Sequence, residues 1–171
     1  MSIPQRTEAA AYYFTYIDRI TGDNILEAMK AQLDDTAAFL AGITEERSLF
    51  RYAPEKWSIR QVLNHLNDTE RVFAFRAMWF ARGFTEPLPS FDQNVASNAA
   101  DADGRSLASY SEEFRNIRKA SLSLFQNLPN EAWKRSGIAS GNSVTVNALA
   151  YIIAGHVAHH VSILRERYVP S

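Results

Sequence analysis

Four stretches of the chain repeat apolar residues at three- and four-residue steps, the spacing that lines one face of a helix. The first predicts a helix from Asp23 to Ala41, with Asp23 as N-cap and Gly42 at its end. Its stripe is Ile25, Leu26, Met29, Leu33, Ala37 and Leu40. The second opens at Ser58, where Gln61 completes a capping-box pattern, and runs through Val62, Leu66, Phe73 and Phe80 to Gly83. The third spans Ser106 to Leu128 on Leu107, Tyr110, Phe114, Ile117 and Leu124, with Pro129 after it. The fourth starts near Thr145 and carries Leu149, Ile152, Ile153, Ile163 and Leu164 toward Tyr168. The aromatic run before Asp23, with Tyr12, Tyr13, Phe14, Tyr16 and Ile17, predicts a short helix or packing arm.

Strand signals are weak throughout, so the expected fold class is all-α, a four-helix bundle forming a single domain over residues 1–171. The connection from Gly83 to Arg105 holds Pro87, Pro89, Gly104 and many small polar residues. Connections of that length are uncommon in compact domains and are usually functional or a crossover. A crossover lets the second and third helices run parallel, which predicts up-down-down-up order. The segment SGIASGN, around Gly137 and Gly141, reads as a turn.

Composition narrows the function without naming it. Hydrophobic residues make up 46% and charged residues 22%, with a net charge of −1 and no basic stripe. That balance argues against a nucleic-acid or membrane-surface partner. Cysteine is absent, which removes disulfides, thiolate metal sites and a cysteine nucleophile. The N-terminus lacks the apolar core of a signal peptide, and no run approaches the roughly 18 apolar residues that span a bilayer. A cytoplasmic protein is therefore expected. No G-x-S-x-G elbow suggests a serine hydrolase.

Chemistry concentrates in the histidines. Three of the four fall within AGHVAHHVSIL, residues 154–164. At about 100° per residue, His156 and His160 lie about 40° apart on the apolar face, and His159 about 60° to one side. On the second helix His65 shares a face with Val62, Thr69, Val72 and Phe80. One inward imidazole is ordinarily a core residue with a hydrogen-bond partner; three together suit a divalent metal, which satisfies three acceptors at once. Three histidines from two helices leave coordination positions open, as in catalytic sites. Spacing alone leaves both readings standing, and three imidazoles suit zinc, nickel, copper or iron.

YAPEKWSIRQVLNHLNDTERVFAFRAMWFARG resembles the second helix of the DinB/YfiT-like superfamily in its W-S-hydrophobic-x-x-V-L-x-H-L-x-D-x-E form. NALAYIIAGHVAHHVSILRERY resembles that family's fourth helix, with its H-x-x-H-H signature. YYFTYIDRITGDNIL and EPLPSFDQN extend the similarity over nearly the whole chain. The resemblance implies an up-down-down-up four-helix bundle and a metal triad of His65, His156 and His160. It implies zinc first and nickel next, and a homodimer. It further implies hydrolase-like chemistry, or transfer or isomerisation with a low-molecular-weight thiol on a small-molecule substrate. A metal-binding stress protein without turnover, or a dimerisation module, is the alternative. Many members carry Glu directly after the first histidine of the fourth helix; this chain has Val157. Asp68 and Gln61 are candidates to orient His65, and His159 to support the triad. Asp92 is a candidate to approach the open metal face, and Arg76 to attract an anionic substrate or to pair with an acid.

Overall fold

The computed structural model describes residues 2–169, so Met1, Pro170 and Ser171, the ends of the expected 1–171 domain, lie outside it. Four long helices dominate: α2 (Ile25–Ala41), α3 (Ile59–Ala81), α5 (Leu107–Gln126) and α6 (Val146–Ile163). α1 (Phe14–Ile17) precedes them, and α4 (Gln93–Ala99) and a hairpin of β1 (Ser136–Ala139) and β2 (Asn142–Thr145) lie in their connections. The long helices pack as a bundle in which α3 and α2 each contact both α5 and α6. No helix among the described residues is long and apolar enough to cross a membrane.

The predicted helix starts hold with one exception. Ser58 and Gln61 form the reciprocal capping box on α3, Ser106 caps α5 and Thr145 caps α6. On α2 the cap is Asn24 and not Asp23: its side chain accepts from the Glu27 amide at 3.3 Å, so the helix begins one residue later. Glu45, in the connection after α2, accepts from the Leu107 and Ala108 amides at 2.8 and 3.1 Å. Those amides hold its carboxyl below the usual range and tie the end of α2 to the start of α5.

Three expectations change. The connection after Gly83 is not a loop throughout, because Asp92 caps the seven-residue α4 inside it. SGIASGN is a turn flanked by strands: Ser136 pairs with Thr145 and Ala139 with Asn142, around Ser140 and Gly141 at φ 53° and 76°. Positive φ at both turn residues matches the twist of a two-residue hairpin. The fold is therefore mostly helical, as expected, with a small two-strand sheet added; four-residue strands are too short to give a readable alternation. Leu88 exchanges hydrogen bonds with Ile138 and Ser140, fastening the long connection to the hairpin. The last helix continues to Tyr168 only by widening into a π-helical turn at Leu164–Tyr168. There the Tyr168 hydroxyl donates to the Trp57 carbonyl at 2.8 Å.

The core is divided into two clusters. One gathers Ile17, Ile25, Met29, Phe80, Phe125, Trp133 and Ile152; the other gathers Leu40, Ile59, Leu63, Tyr110, Phe114, Val157 and Leu164. Between them each long helix contributes polar side chains: Gln32 and Thr36, His65 and Glu70, Arg118, and His156. Arg118 is fully buried and binds both Glu70 oxygens, at 2.8 and 2.9 Å. It also donates to Gln32 Oε1 at 2.7 Å, and Gln32 donates to the Ala154 carbonyl at 2.8 Å. One network thus links all four long helices. Asn67 reaches the Tyr110 carbonyl at 3.3 Å on the same α3–α5 seam.

Glycine is required at one approach to this layer. A Cβ at Gly155 would fall on the backbone carbonyl of Tyr16, so its absence lets α1 seat directly on α6 beside His156.

Removing one partner of the buried ion pair leaves the other charge stranded, so Glu70→Gln should lose about 3–5 kcal/mol of unfolding free energy. A Glu70→Leu, Arg118→Met double variant should lose much less. Urea denaturation of the three proteins measures both; equal losses would refute the uncompensated-charge account.

Candidate metal centre

α3 and α6 bring His65, His156 and His160 together, with one ring nitrogen of each within 4.8 Å of the others. His65 Nε2 lies 3.0 Å from His156 Nε2. Two nitrogen ligands on a tetrahedral zinc stand about 3.3 Å apart, given bonds of about 2.05 Å, so the observed spacing is close to that of a shared ion. His65 and His156 are buried, and His160 is half-buried. Burial pushes the imidazoles down, to about 4 for His65 and about 3 for His160, and well below the ordinary value for His156. The other histidines reinforce the shift at His156 and His160. All three are therefore neutral lone-pair donors near pH 7, the state a metal needs. The donor set fits a divalent ion of the zinc or nickel type.

The side chains around the triad differ from those expected. His65 Nδ1 meets Thr69 Oγ1 at 3.3 Å, which turns Nε2 toward His156. Thr69 sits one helical turn past His65 on the same face, a position that periodicity marks for contact. Asp68 instead accepts from Asn64 at 3.0 Å and lies 3.5 Å from Arg71, and Gln61 is held by the capping box and Arg51. Asp92 caps α4 through the Asn94 and Val95 amides. His159 stays outside the triad: its ring packs on Tyr16 at 5.4 Å, and its buried Nδ1 has no partner among the described residues. Val157 is buried in the second apolar cluster. Two aromatic walls were not foreseen as part of the site. Trp57 packs against His65 with ring centroids 5.0 Å apart, and Tyr16 stands edge-on to His156 at 5.2 Å.

Two cavities meet at the triad. One, of about 160 Å³, is lined by His65 and His156 with Tyr16, Thr69, Phe73 and Arg76. The other, of about 260 Å³, reaches His160 past Tyr52, Lys56, Trp57 and Tyr168.

The model of the DinB superfamily matches residues 28–164. The chain belongs to the DinB superfamily. Among solved structures it is similar to YfiT from Bacillus subtilis, described as a probable metal-dependent hydrolase with an unusual four-helix bundle topology. That likeness has a TM-score of 0.65 at 20% identity, over 95% of this chain and 91% of YfiT. It is also similar to the mycothiol-dependent maleylpyruvate isomerase, with a TM-score of 0.68 at 10% identity, over 81% of this chain and 58% of the isomerase. A mutant of that isomerase gives 0.69 at 10% identity, over 86% of this chain and 60% of the mutant. This DinB-superfamily chain thus spans less than two thirds of the isomerase, and at these identities the likeness is one of fold. No curated protein matches the chain.

The depressed imidazoles set the acid sensitivity of metal-free protein. Unfolded histidine titrates near 6.5. Between about pH 6.5 and 4 the unfolded chain takes up protons that the folded triad refuses, so stability is full above that window and falls as pH drops through it. Glu113, held low by Arg71 and Arg105, adds acid loss only below the ordinary carboxylate value of 4.5. Urea unfolding of chelator-treated protein should therefore give a lower free energy at pH 5 than at pH 8, with a shallower pH slope in His65→Asn. Identical slopes in the two proteins would refute the assignment to the triad.

Proposed function

We propose that this protein is a metal-dependent enzyme in which His65, His156 and His160 hold a divalent ion, zinc in the first instance and nickel in the second. The observation that carries the reading is a triad of neutral imidazole donors exposed to two separate cavities. Bound there, such an ion acts as a Lewis acid and lowers the pKa of a water or thiol beside it. Thr69 fixes the ring of His65, and Trp57 and Tyr16 wall the site. The names of the similar structures, a probable metal-dependent hydrolase and a mycothiol-dependent isomerase, lie in the same range of chemistry.

Thiol-dependent transfer is the better fit than hydrolysis. The cavity at His65 and His156 has no carboxylate in its lining to take a proton from water, and position 157 is valine. The one carboxylate of the other cavity, Glu55, lies on the side of His160. A thiol ionises near neutrality with far less help. Two cavities also accommodate two reactants, a low-molecular-weight thiol and a small electrophile, on either side of the triad. The chain is read as one cytoplasmic bundle domain of up-down-down-up order. The pairings of Asn67 with Tyr110 and of Glu70 with Arg118, whose numbers rise together, support parallel α3 and α5.

Replacing His65, His156 or His160 with Ala should remove bound metal and lower the melting temperature, because the ion binds only the folded protein. His159→Ala should retain it. Metal analysis by mass spectrometry checks this, and full occupancy in His156→Ala would sink the triad. Thiol transfer is read from loss of an electrophilic chromophore with cysteine, glutathione or mycothiol as donor; a rate independent of every thiol removes that chemistry.

A homodimer is the proposed assembly, through the aromatic face of Phe75, Trp79 and Phe84. Phe75 and Phe84 are 47% and 46% exposed, and Trp79 stacks on Phe84 at 4.1 Å. Light scattering should give twice the 19.3 kDa of one chain, reverting to a single mass in Phe75→Glu. A single mass for the unmodified protein at micromolar concentration overturns the dimer.

A further inference from the structure

We propose that the smaller cavity is a subsite for a small hydrophobic carboxylic acid, its carboxylate taken by Arg76 and its apolar body lying along Val72, Phe73 and Phe91. As a substrate site it rests on the metal-dependent reading above; as a binding site it stands on Arg76 alone.

Two arginines are buried in this bundle, and they are treated differently. Arg118 is neutralised by both oxygens of Glu70. Arg76 is only 4% exposed, yet no carboxylate among the described residues lies within salt-bridge reach of it. Its Nη2 donates to the Pro89 carbonyl at 2.8 Å and to Ser140 Oγ at 3.0 Å. Nε and Nη1 have no hydrogen-bond partner among the described residues. A guanidinium stays charged in proteins, and a buried charge left without a counter-ion is costly. The charge of Arg76 and the donors left on its Nε and Nη1 suit an anionic oxygen, which a charge-assisted hydrogen bond can hold.

The cavity wall supplies the rest of the recognition. Its lining contains Arg76 and no Asp or Glu, so its charge favours an anion. Val72, Phe73 and Phe91 give it apolar sides. Three turns of α3, about 16 Å of helix axis, separate Arg76 from His65. An acid held at Arg76 therefore points its far end toward the triad and not its carboxylate. The pieces that hold Arg76 come from the long connection and the hairpin, which Leu88 fastens together.

Isothermal titration with 3-phenylpropionate and its neutral amide tests the subsite. Wild-type protein should bind the acid about tenfold or more tightly than the amide. Arg76→Gln, which keeps a donor for Pro89 and Ser140, and Arg76→Met should both bring the acid to the amide's affinity and leave the amide unchanged. Chelator-treated wild type should keep the preference for the acid. Equal affinities in wild type, binding of neither probe, or a preference that survives both substitutions overturns the proposal. A preference lost with chelator but kept in Arg76→Gln places the carboxylate on the metal, overturning this subsite and leaving the metal reading intact. A preference kept in a His156→Ala protein free of metal supports the subsite independently of that reading. If neither Arg76 variant folds, the acid and amide affinities of wild type, with and without chelator, decide the matter.

Discussion

The buried network of Gln32, Glu70, Arg118 and the Ala154 carbonyl is the constraint on which this bundle depends. A guanidinium with no exposure is tolerable only if its donors are met, and here the acceptors come from two other helices. Sliding any one helix by a turn would break a hydrogen bond of the network, charge-assisted for α2, α3 and α5, in a medium where water cannot replace it. Apolar packing alone discriminates far less between such registers, because leucine against leucine is similar one turn away. The network therefore fixes the relative heights of α2, α3, α5 and α6.

That fixed height is what assembles the histidines. His65 lies five residues before Glu70 on α3, and His156 two residues after Ala154 on α6. The same layer that satisfies Arg118 thus brings the two rings together edge-on, with their Nε2 atoms 3.0 Å apart. Above and below it the two apolar clusters keep water out, which is why burial dominates the imidazole shifts. Neutral, desolvated nitrogen donors are a poor resting place for protons and a good one for a soft or borderline cation. Gly155 completes the arrangement by letting Tyr16 reach His156 where any side chain would hold α1 away.

A charge gradient runs along α3. Glu70 is paid for by Arg118, while Arg76, a turn and a half later, keeps its charge for the cavity. The long connection and the hairpin, which lie outside the four long helices, hold Arg76 by a carbonyl and a hydroxyl. Neither partner neutralises it. The parts of the chain least like a bundle thus shape the end of the cavity farthest from the triad.

Much of this protein is local and was legible in the sequence. Helical periodicity put His156 and His160 on the buried stripe and His65 on the inward face of its own helix, and Ser58 with Gln61 announced where α3 begins. Those features depend only on backbone geometry, which repeats every 3.6 residues or so wherever the helix lies. The choice of partners does not. Thr69 and Asp68 are neighbours in sequence, yet only Thr69 turns to His65, because the rotation of α3 against α6 directs one inward and leaves the other to Asn64 and Arg71. The union of Glu70 with Arg118, the seating of Tyr16 on Gly155 and the grip of Ser140 on Arg76 all join residues far apart in the chain. Sequence determined which side chains could meet on each element; only the tertiary structure, through helix register and rotation, decided which ones did.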